Sequence, residues 1–230
     1  MTIGEIIQRV QSLYSKGVES DDSRLSSRHI YNKLLSSRSK LISQKANKKQ
    51  NISSWNYQTL PCVNLIKVPA HECPCFPPVG CEVLRSEYKL PDPISGLSGV
   101  LIKSVTSIER SLKIDAITIN AVNSQKGNKY TSKKTNYFIQ DGYLYITTPT
   151  NLKVVSIIGL FEDPIDAISY CNSCTGCINC LNYKEEEFPI SSDLVDALIE
   201  LTVIEVIQIF SKRIEDATNN TRDNIAQQTK

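Results

Sequence analysis

Residues 191–215 read SSDLVDALIELTVIEVIQIFSKRIE, and this stretch decides the fold. Its apolar side chains recur at helical spacing, and the motif FPI at 188–190 leads the chain into it. We predict a helix that runs to about Glu215 and is on the order of 35–40 Å long, at about 1.5 Å per residue. Its large apolar residues are Leu194, Val195, Leu198, Ile199, Leu201, Val203, Ile204, Val206, Ile207, Ile209, Phe210 and Ile214.

These side chains cover more of the helix than the single stripe by which a surface helix packs on its own domain. A helix that is apolar on several sides must be surrounded by other elements. Neighbouring subunits are one source of that cover. A sheet and N-terminal helices of the same chain are the other source, and the sequence leaves both open. If subunits supply the cover, the candidate interface residues are Leu198, Leu201, Ile204, Ile207 and Phe210.

The first zone of the chain, residues 1–50, has the pattern of two helices. The break between them falls at Gly17, and Ser20, Asp21 and Asp22 supply capping side chains for the second helix. The apolar residues of the first helix are Ile3, Ile6, Ile7, Val10 and Leu13. Those of the second are Leu25, Ile30, Tyr31, Leu34, Leu35, Leu41 and Ile42.

The middle zone, residues 51–165, is typical of β-structure. Residues 112–122 and 152–160 are rich in β-branched side chains, and 137–146 contains an Asp-Gly pair that favours a two-residue hairpin turn. We therefore predict an α+β protein with N-terminal helices, a central antiparallel β region and a long C-terminal helix. A cysteine-rich loop over 166–190 precedes that helix, and an extended polar tail completes 191–230. The whole is one domain with extensions.

The composition limits the function classes. Of the 230 residues, 40% are hydrophobic and 22% charged, which favours a folded chain over a disordered one. The net charge of +2 excludes a polycation, so attraction to nucleic acid requires a local patch. No stretch has the roughly 18 apolar residues of a membrane span, and residues 1–16 lack the core of a signal peptide. We expect synthesis and assembly in a reducing cytoplasm, with cysteines as thiols or metal ligands before disulfides.

Four cysteines stand three residues apart at Cys171, Cys174, Cys177 and Cys180. Four thiolates can hold a tetrahedral zinc ion or contribute to an iron–sulfur cluster. However, structural zinc sites normally separate their two Cys-x-x-Cys pairs by a dozen residues or more, so that the pairs approach from different directions. These cysteines are the candidates for a metal site, but we predict no metal and no cofactor.

A second group of cysteines lies among prolines: Cys62, Cys73, Cys75 and Cys81. With His71 it resembles part of a metal site, but small buried thiols in a proline-stiffened loop are the commoner occurrence.

No catalytic motif is present. The chain has two histidines, His29 and His71, and neither accompanies a nucleophile elbow. No phosphate-binding loop or dinucleotide-binding turn occurs, and nine glycines leave little material for one. We therefore predict that the protein is not an enzyme.

Residues 22–50 hold eight basic residues and one acidic residue, Asp22. Contact with DNA phosphates, docking on an acidic protein surface and a solvated helix face are all open readings. The candidates for facing a partner or DNA are Arg24, Arg28, Lys33, Arg38 and Lys40. A zinc-stabilised nucleic-acid-binding module is the alternative function.

Four stretches carry a family resemblance: DDSRLSSRHIY at 21–31, HECPCFPP at 71–78, GLFEDP at 159–164, and FPI at 188–190 with NNTRD at 219–223. In this order they resemble the head-to-tail connector or tail-ring proteins of crAss-like and related short-tailed bacteriophages.

The resemblance implies a structural subunit of a ring, usually twelvefold, stacked beneath the portal protein in the virion. Its implied partners are further copies of itself, the portal, other tail-ring proteins and DNA that passes through without sequence specificity, with no membrane. The family has no catalytic residues, and the cysteine quartet is a departure from it.

Overall fold

A computed structural model describes residues 1–17, 25–69, 82–147, 152–175 and 182–211. The helices are α1 (Ile3–Tyr14), α2 (Ser27–Asn47), α3 (Ile119–Gly127), α4 (Pro164–Thr175) and α5 (Ser192–Ser211), with a 3-10 turn at Ser54–Asn56. The strands are β1 (Gln58–Pro69), β2 (Glu82–Ser86), β3 (Ser95–Gly96), β4 (Gly99–Val100), β5 (Ile102–Ser107), β6 (Lys113–Ala116), β7 (Asn136–Gln140), β8 (Tyr143–Thr147) and β9 (Val154–Gly159).

Seven strands close into a barrel in the order β1-β2-β8-β7-β6-β5-β9, and β3 pairs with β4 in a separate two-stranded sheet. Every barrel pair is antiparallel except β6 with β7, which is parallel. The predicted hairpin is confirmed: Asp141 and Gly142 have φ angles of 53° and 80° between β7 and β8. The α+β class, the N-terminal helices and the C-terminal helix are confirmed, with this one parallel pair as the departure from an antiparallel region.

Two sequence-based boundaries were wrong. Residues 112–122 do not form one strand, because β6 ends at Ala116 and α3 begins at Ile119. Helix α3 forms here because Val122 can pack on the outside of the barrel against Val68 and Val83. The predicted loop over 166–190 is also helical in its first part, where α4 extends to Thr175.

Helix α2 begins later than the sequence suggested. Its N-cap is Ser26, whose hydroxyl accepts a hydrogen bond from the backbone N–H of His29. Leu25, just before the cap, and Ile30, on the first turn, are both buried in one cluster, as in a hydrophobic staple. The predicted cap at residues 20–22 lies outside the described residues.

Helices α1, α2 and α5 share one apolar cluster beside the barrel. A capping box starts α1, since the Thr2 hydroxyl accepts from the Glu5 N–H and the Glu5 carboxylate accepts from the Thr2 N–H. The barrel has a separate core that includes Leu60, Val105 and Ile157. The helices therefore form a layer with its own core, joined to the barrel at defined points.

Asp163 is one of these points, in the GLFEDP motif. Its carboxylate accepts the N–H of Ile165 at 2.8 Å, which caps α4, and the hydroxyl of Tyr31 at 2.7 Å, which ties α2 to that cap. Burial and the neighbouring carboxylate raise the pKa of Tyr31, so its hydroxyl remains the donor. Pro164 begins α4 at the position where a missing N–H costs nothing.

We expect Asp163→Ala to lower the free energy of unfolding by about 2–3 kcal/mol, because it removes a helix cap and a charged hydrogen bond together. Denaturant titration measures the loss. Glu162→Ala is the control: this exposed neighbour should change stability by less than about 0.5 kcal/mol. An equal effect of both substitutions on the free energy of unfolding would show that the cap and the Tyr31 hydrogen bond do not stabilise the fold.

Candidate subunit interface

Helix α5 is covered by its own chain along only part of its surface. Leu194, Leu198, Ile199 and Val206 are buried, and the last three lie in one cluster with α1 and α2. The prediction that Leu198 lies in a subunit interface is wrong, because the side chain is fully enclosed within its own subunit. Leu201 is half-buried.

The end of α5 keeps an exposed apolar surface. Ile204, Ile207 and Ile209 expose 45%, 44% and 43% of their area. Full burial of such a side chain is worth about 1.5–3 kcal/mol, so each retains roughly half of that gain for a further contact. The predicted candidates Ile204 and Ile207 are therefore available for a partner. The side chain of Phe210 lies outside the described residues.

The exposed surface of α5 is bordered by α1, with a groove of about 610 Å³ between the two helices. Leu13 of α1 is 56% exposed there. The groove is lined by Arg9, Ser12, Leu13, Asp196, Ile199, Glu200, Val203 and Ile204.

A second groove, of about 890 Å³, adjoins the first and shares Arg9, Ser12 and Asp196 with it. Trp55, the only tryptophan of the chain, lines this groove and is 75% exposed. We call the combined lining of the two grooves the α1–α5 face. It presents apolar and aromatic area next to polar groups, which is the usual composition of a protein-binding surface.

The α1–α5 face is acidic. Glu5, Asp196 and Glu200 line its grooves, against the single basic residue Arg9. Glu186 and Glu187 lie beside it. The Glu186 carbonyl accepts the N–H of Ile3, and Glu187 forms an isolated antiparallel β-bridge with Thr2. Within the described ranges, no ion pair involves Asp196 or Glu200. A partner on this face must therefore cover exposed apolar area and also neutralise negative charge.

The family model described as phage tail ring protein 2 matches residues 5–225. The chain belongs to this family. No curated protein matches it. The protein is thus a structural bacteriophage protein of a crAss-like tail ring, which places it in the virion and gives it other copies of itself as partners. In the described part, no helix is both long and apolar enough to span a membrane.

In this tail ring protein, one basic candidate has a purely internal position. Arg38 is fully buried on α2, so the prediction that it faces DNA or another protein is wrong. Its guanidinium donates to the carbonyl oxygens of Pro189 (3.0 Å), Phe161 (2.6 Å) and Asn56 (3.2 Å). Burial lowers the pKa of Arg38 to about 10, and the group stays charged at neutral pH.

The other basic candidates differ in whether they are paired within the subunit or available to a partner. Lys33 and Lys40 approach the Glu205 carboxylate of α5, so both help to hold α2 against that helix. Lys45 pairs with Asp193 in the same way, and this bond lowers the pKa of the Asp193 carboxyl. Arg28 is exposed and remains available. Arg24 lies outside the described residues.

The cysteine candidates are only partly covered by the structure. Cys171 and Cys174 belong to α4, about one turn apart, and only their backbone is described. Cys177 and Cys180 fall outside the described residues. Cys62, on β1, is partly buried, and its thiol lies 3.9 Å from the side-chain oxygen of Asn64. In the described ranges there is no group of three or more His, Cys, Asp or Glu side chains placed to hold a metal ion.

Sequence reasoning missed Leu13, Arg9 and Trp55 as parts of the face. Leu13 fits the apolar pattern of α1, and nothing in the sequence shows that the packing that buries this helix ends before Leu13. Trp55 did carry a signal: it is the only tryptophan, it lies in the polar stretch NISSWNYQ at 51–58, and a large aromatic in such a stretch favours a contact surface.

Proposed function

We propose that this tail ring protein is a structural subunit of the head-to-tail connector, where a ring of about twelve copies docks beneath the portal and extends the DNA channel. The observation that carries the proposal is the exposed apolar end of α5 beside the acidic grooves of the α1–α5 face, in a chain of a tail ring family. Ring closure requires such a face on every copy.

The role is mechanical, and we propose no catalysis. The energy of ring formation comes mainly from burial of apolar area, at about 25 cal/mol per Å² before the costs of association. A stable contact of standard size buries about 800 Å² on each partner. Ile204 and Ile207 of α5, with Leu13 and Trp55, supply the apolar centre of such a contact.

The portal and DNA contacts are assigned to basic groups that remain available. Arg28 is exposed on α2, and Lys40 is half-exposed although it approaches Glu205. Contacts of this kind bind phosphate or an acidic protein without reading sequence.

Mass measurement of the purified protein over a range of concentrations, alone and with the portal protein of the same phage, tests the proposal. We expect particles of about twelve times the 25.7 kDa subunit mass, and a larger complex when the portal is added. A compact monomer at every concentration, in both conditions, would refute it.

The alternative, a zinc-stabilised nucleic-acid-binding module, draws on the cysteine quartet at 171–180. Because four cysteines so close together fit tetrahedral geometry poorly, we expect elemental analysis to find no stoichiometric zinc. We also expect a chelator to leave the melting temperature unchanged. Stoichiometric zinc with unfolding in chelator would favour the alternative.

A further inference from the structure

A basic aromatic loop lies far from the α1–α5 face. Residues 128–134, between α3 and β7, form what we call the basic loop. Tyr130 exposes 86% of its area, and Lys129, Lys133 and Lys134 are all exposed. Tyrosine is enriched in protein-binding sites, where its ring can enter a groove, and neighbouring charges contribute orientation and specificity.

Hydrogen bonds hold the basic loop in a fixed shape. The backbone N–H groups of Thr131 and Ser132 donate to the Asn128 carbonyl, and that of Tyr130 donates to the Asn128 side chain. The Thr131 hydroxyl ties the loop to the Gln125 carbonyl at the end of α3. The loop thus presents Tyr130 outward without the ordering cost that a flexible segment would incur on binding.

The lysines of the basic loop have no acidic partner among the described residues. The ion pairs recorded there lie elsewhere, between Lys33 or Lys40 and Glu205, between Lys45 and Asp193, and between Lys113 and Asp115. The loop therefore has unneutralised positive charge, while the α1–α5 face has unneutralised negative charge.

The two surfaces lie at opposite ends of the long strand β1. The first residue of β1, Gln58, donates to the Pro164 carbonyl beside the helical layer. At the other end, Val68 contacts the cluster that includes Val122 of α3, from which the basic loop follows. Twelve residues of β-strand span on the order of 35–40 Å, so one copy cannot bring both surfaces together.

We propose that the basic loop of one copy docks on the α1–α5 face of the next, with Tyr130 in the groove between α1 and α5 and its lysines against Asp196 and Glu200. The contact is head-to-tail, because two different surfaces of the same chain meet, and repetition through a closing rotation produces a ring. This inference rests on the ring function proposed above and names the two surfaces that make the ring.

A second copy fits the loop better than DNA does. DNA binding needs only positive charge and leaves the apolar groove, Leu13 and Ile204 uncovered. Docking on a second copy neutralises both surfaces and covers apolar area at once. DNA is nevertheless a competing partner, and the experiments distinguish the two.

Photo-crosslinking locates the contact directly. The full chain with Tyr130→p-benzoylphenylalanine is prepared in ¹⁴N and ¹⁵N forms, mixed at a concentration at which its mass shows rings, and irradiated. We expect mixed-isotope crosslinks to peptides from 1–17 and 192–211. Rings without such crosslinks, or crosslinks to other segments, would overturn the docking while the ring stands. Absence of rings in the unsubstituted protein, both alone and with the portal protein, would instead refute the proposed function.

Charge reversal tests the pairing. We expect Lys129→Glu with Lys133→Glu, and separately Asp196→Lys with Glu200→Lys, each to raise the concentration for half-assembly at least about tenfold, because like charges then meet. All four changes in one chain should restore assembly to within about threefold of the parent. Failure of the combined variant to recover would overturn the pairing.

Controls for the reversal exclude a general charge effect. Lys48→Glu with Lys153→Glu removes the same charge from two exposed sites outside both surfaces and should leave assembly unchanged. Thermal melting of every variant confirms that it is folded. If the loop variant loses binding to duplex DNA while its rings remain intact, the loop is a DNA contact and the inference is wrong.

Discussion

Replacement of both Ile204 and Ile207 by aspartate should leave the subunit folded and prevent ring assembly. Both side chains are nearly half-exposed, so aspartate can remain hydrated in the monomer. In the ring, each carboxylate would lose its water without gaining a partner, at a cost of several kcal/mol. Two such charges should weaken association by at least about a hundredfold. Mass measurement reports the assembly, and thermal melting reports the fold.

The same helix offers a matched control in Gln208, which is exposed and polar. Gln208→Asp adds one negative charge, half of that in the double variant, about one turn or less from both isoleucines. It should weaken assembly much less, because it removes no apolar area. An unaltered ring in the double isoleucine variant would show that the exposed end of α5 is outside every interface. Loss of folding would show that these side chains are buried in the subunit.

Arg38→Met should produce the largest loss of subunit stability, about 3–5 kcal/mol, because it leaves buried carbonyl groups without donors. The three carbonyls belong to Asn56, Phe161 and Pro189, so one side chain joins α2 to the segment before β1, the end of β9 and the segment before α5. Denaturant unfolding measures the change. Methionine is chosen because it keeps much of the side-chain volume, so that the loss reports the hydrogen bonds.

Arg28→Met on the same helix is the control for Arg38. Arg28 is exposed, and the change should alter stability by less than about 0.5 kcal/mol. If the two variants are equally stable, the carbonyl groups around Arg38 find other donors. If only Arg38→Met is unstable and its residual folded fraction still assembles, the role of Arg38 is internal to the subunit.

The sequence indicated the surplus of apolar area on α5 but not how it is divided. Its own α1 and α2 cover Leu198 and Ile199, while Ile204 and Ile207 remain exposed, so the same chain supplies the cover for only part of the helix, and cover by neighbouring subunits stays a prediction. Periodicity cannot separate these positions, because it depends on residue type and not on where α1 ends. Tertiary packing determines the point along α5 at which α1 and α2 stop burying its side chains.

Arg38 shows a second limit. It lies among exposed basic residues in the sequence, and nothing local distinguishes it from Arg28, ten positions earlier. At 100° per residue, the two side chains point about 80° apart around the helix, and only one meets the barrel. The acceptors that allow its burial come from three distant segments, which one sequence cannot bring together.

The β region was predicted best where local chemistry determines the turn. Asp141 and Gly142 favour positive φ angles, and the hairpin forms there. In contrast, residues 119–127 are helical because their apolar side packs on the barrel, which outweighs their β-branched content. The α1–α5 face combines residues of α1, α5 and the turn at Ser54–Asn56, and no spacing rule joins such distant positions.

Cryo-electron microscopy of the assembled tail ring tests most directly whether α5 joins neighbouring copies. We expect Ile204 and Ile207 to be covered by the adjacent subunit, together with Leu13 and Trp55. A ring in which these four side chains remain in contact with solvent would contradict this.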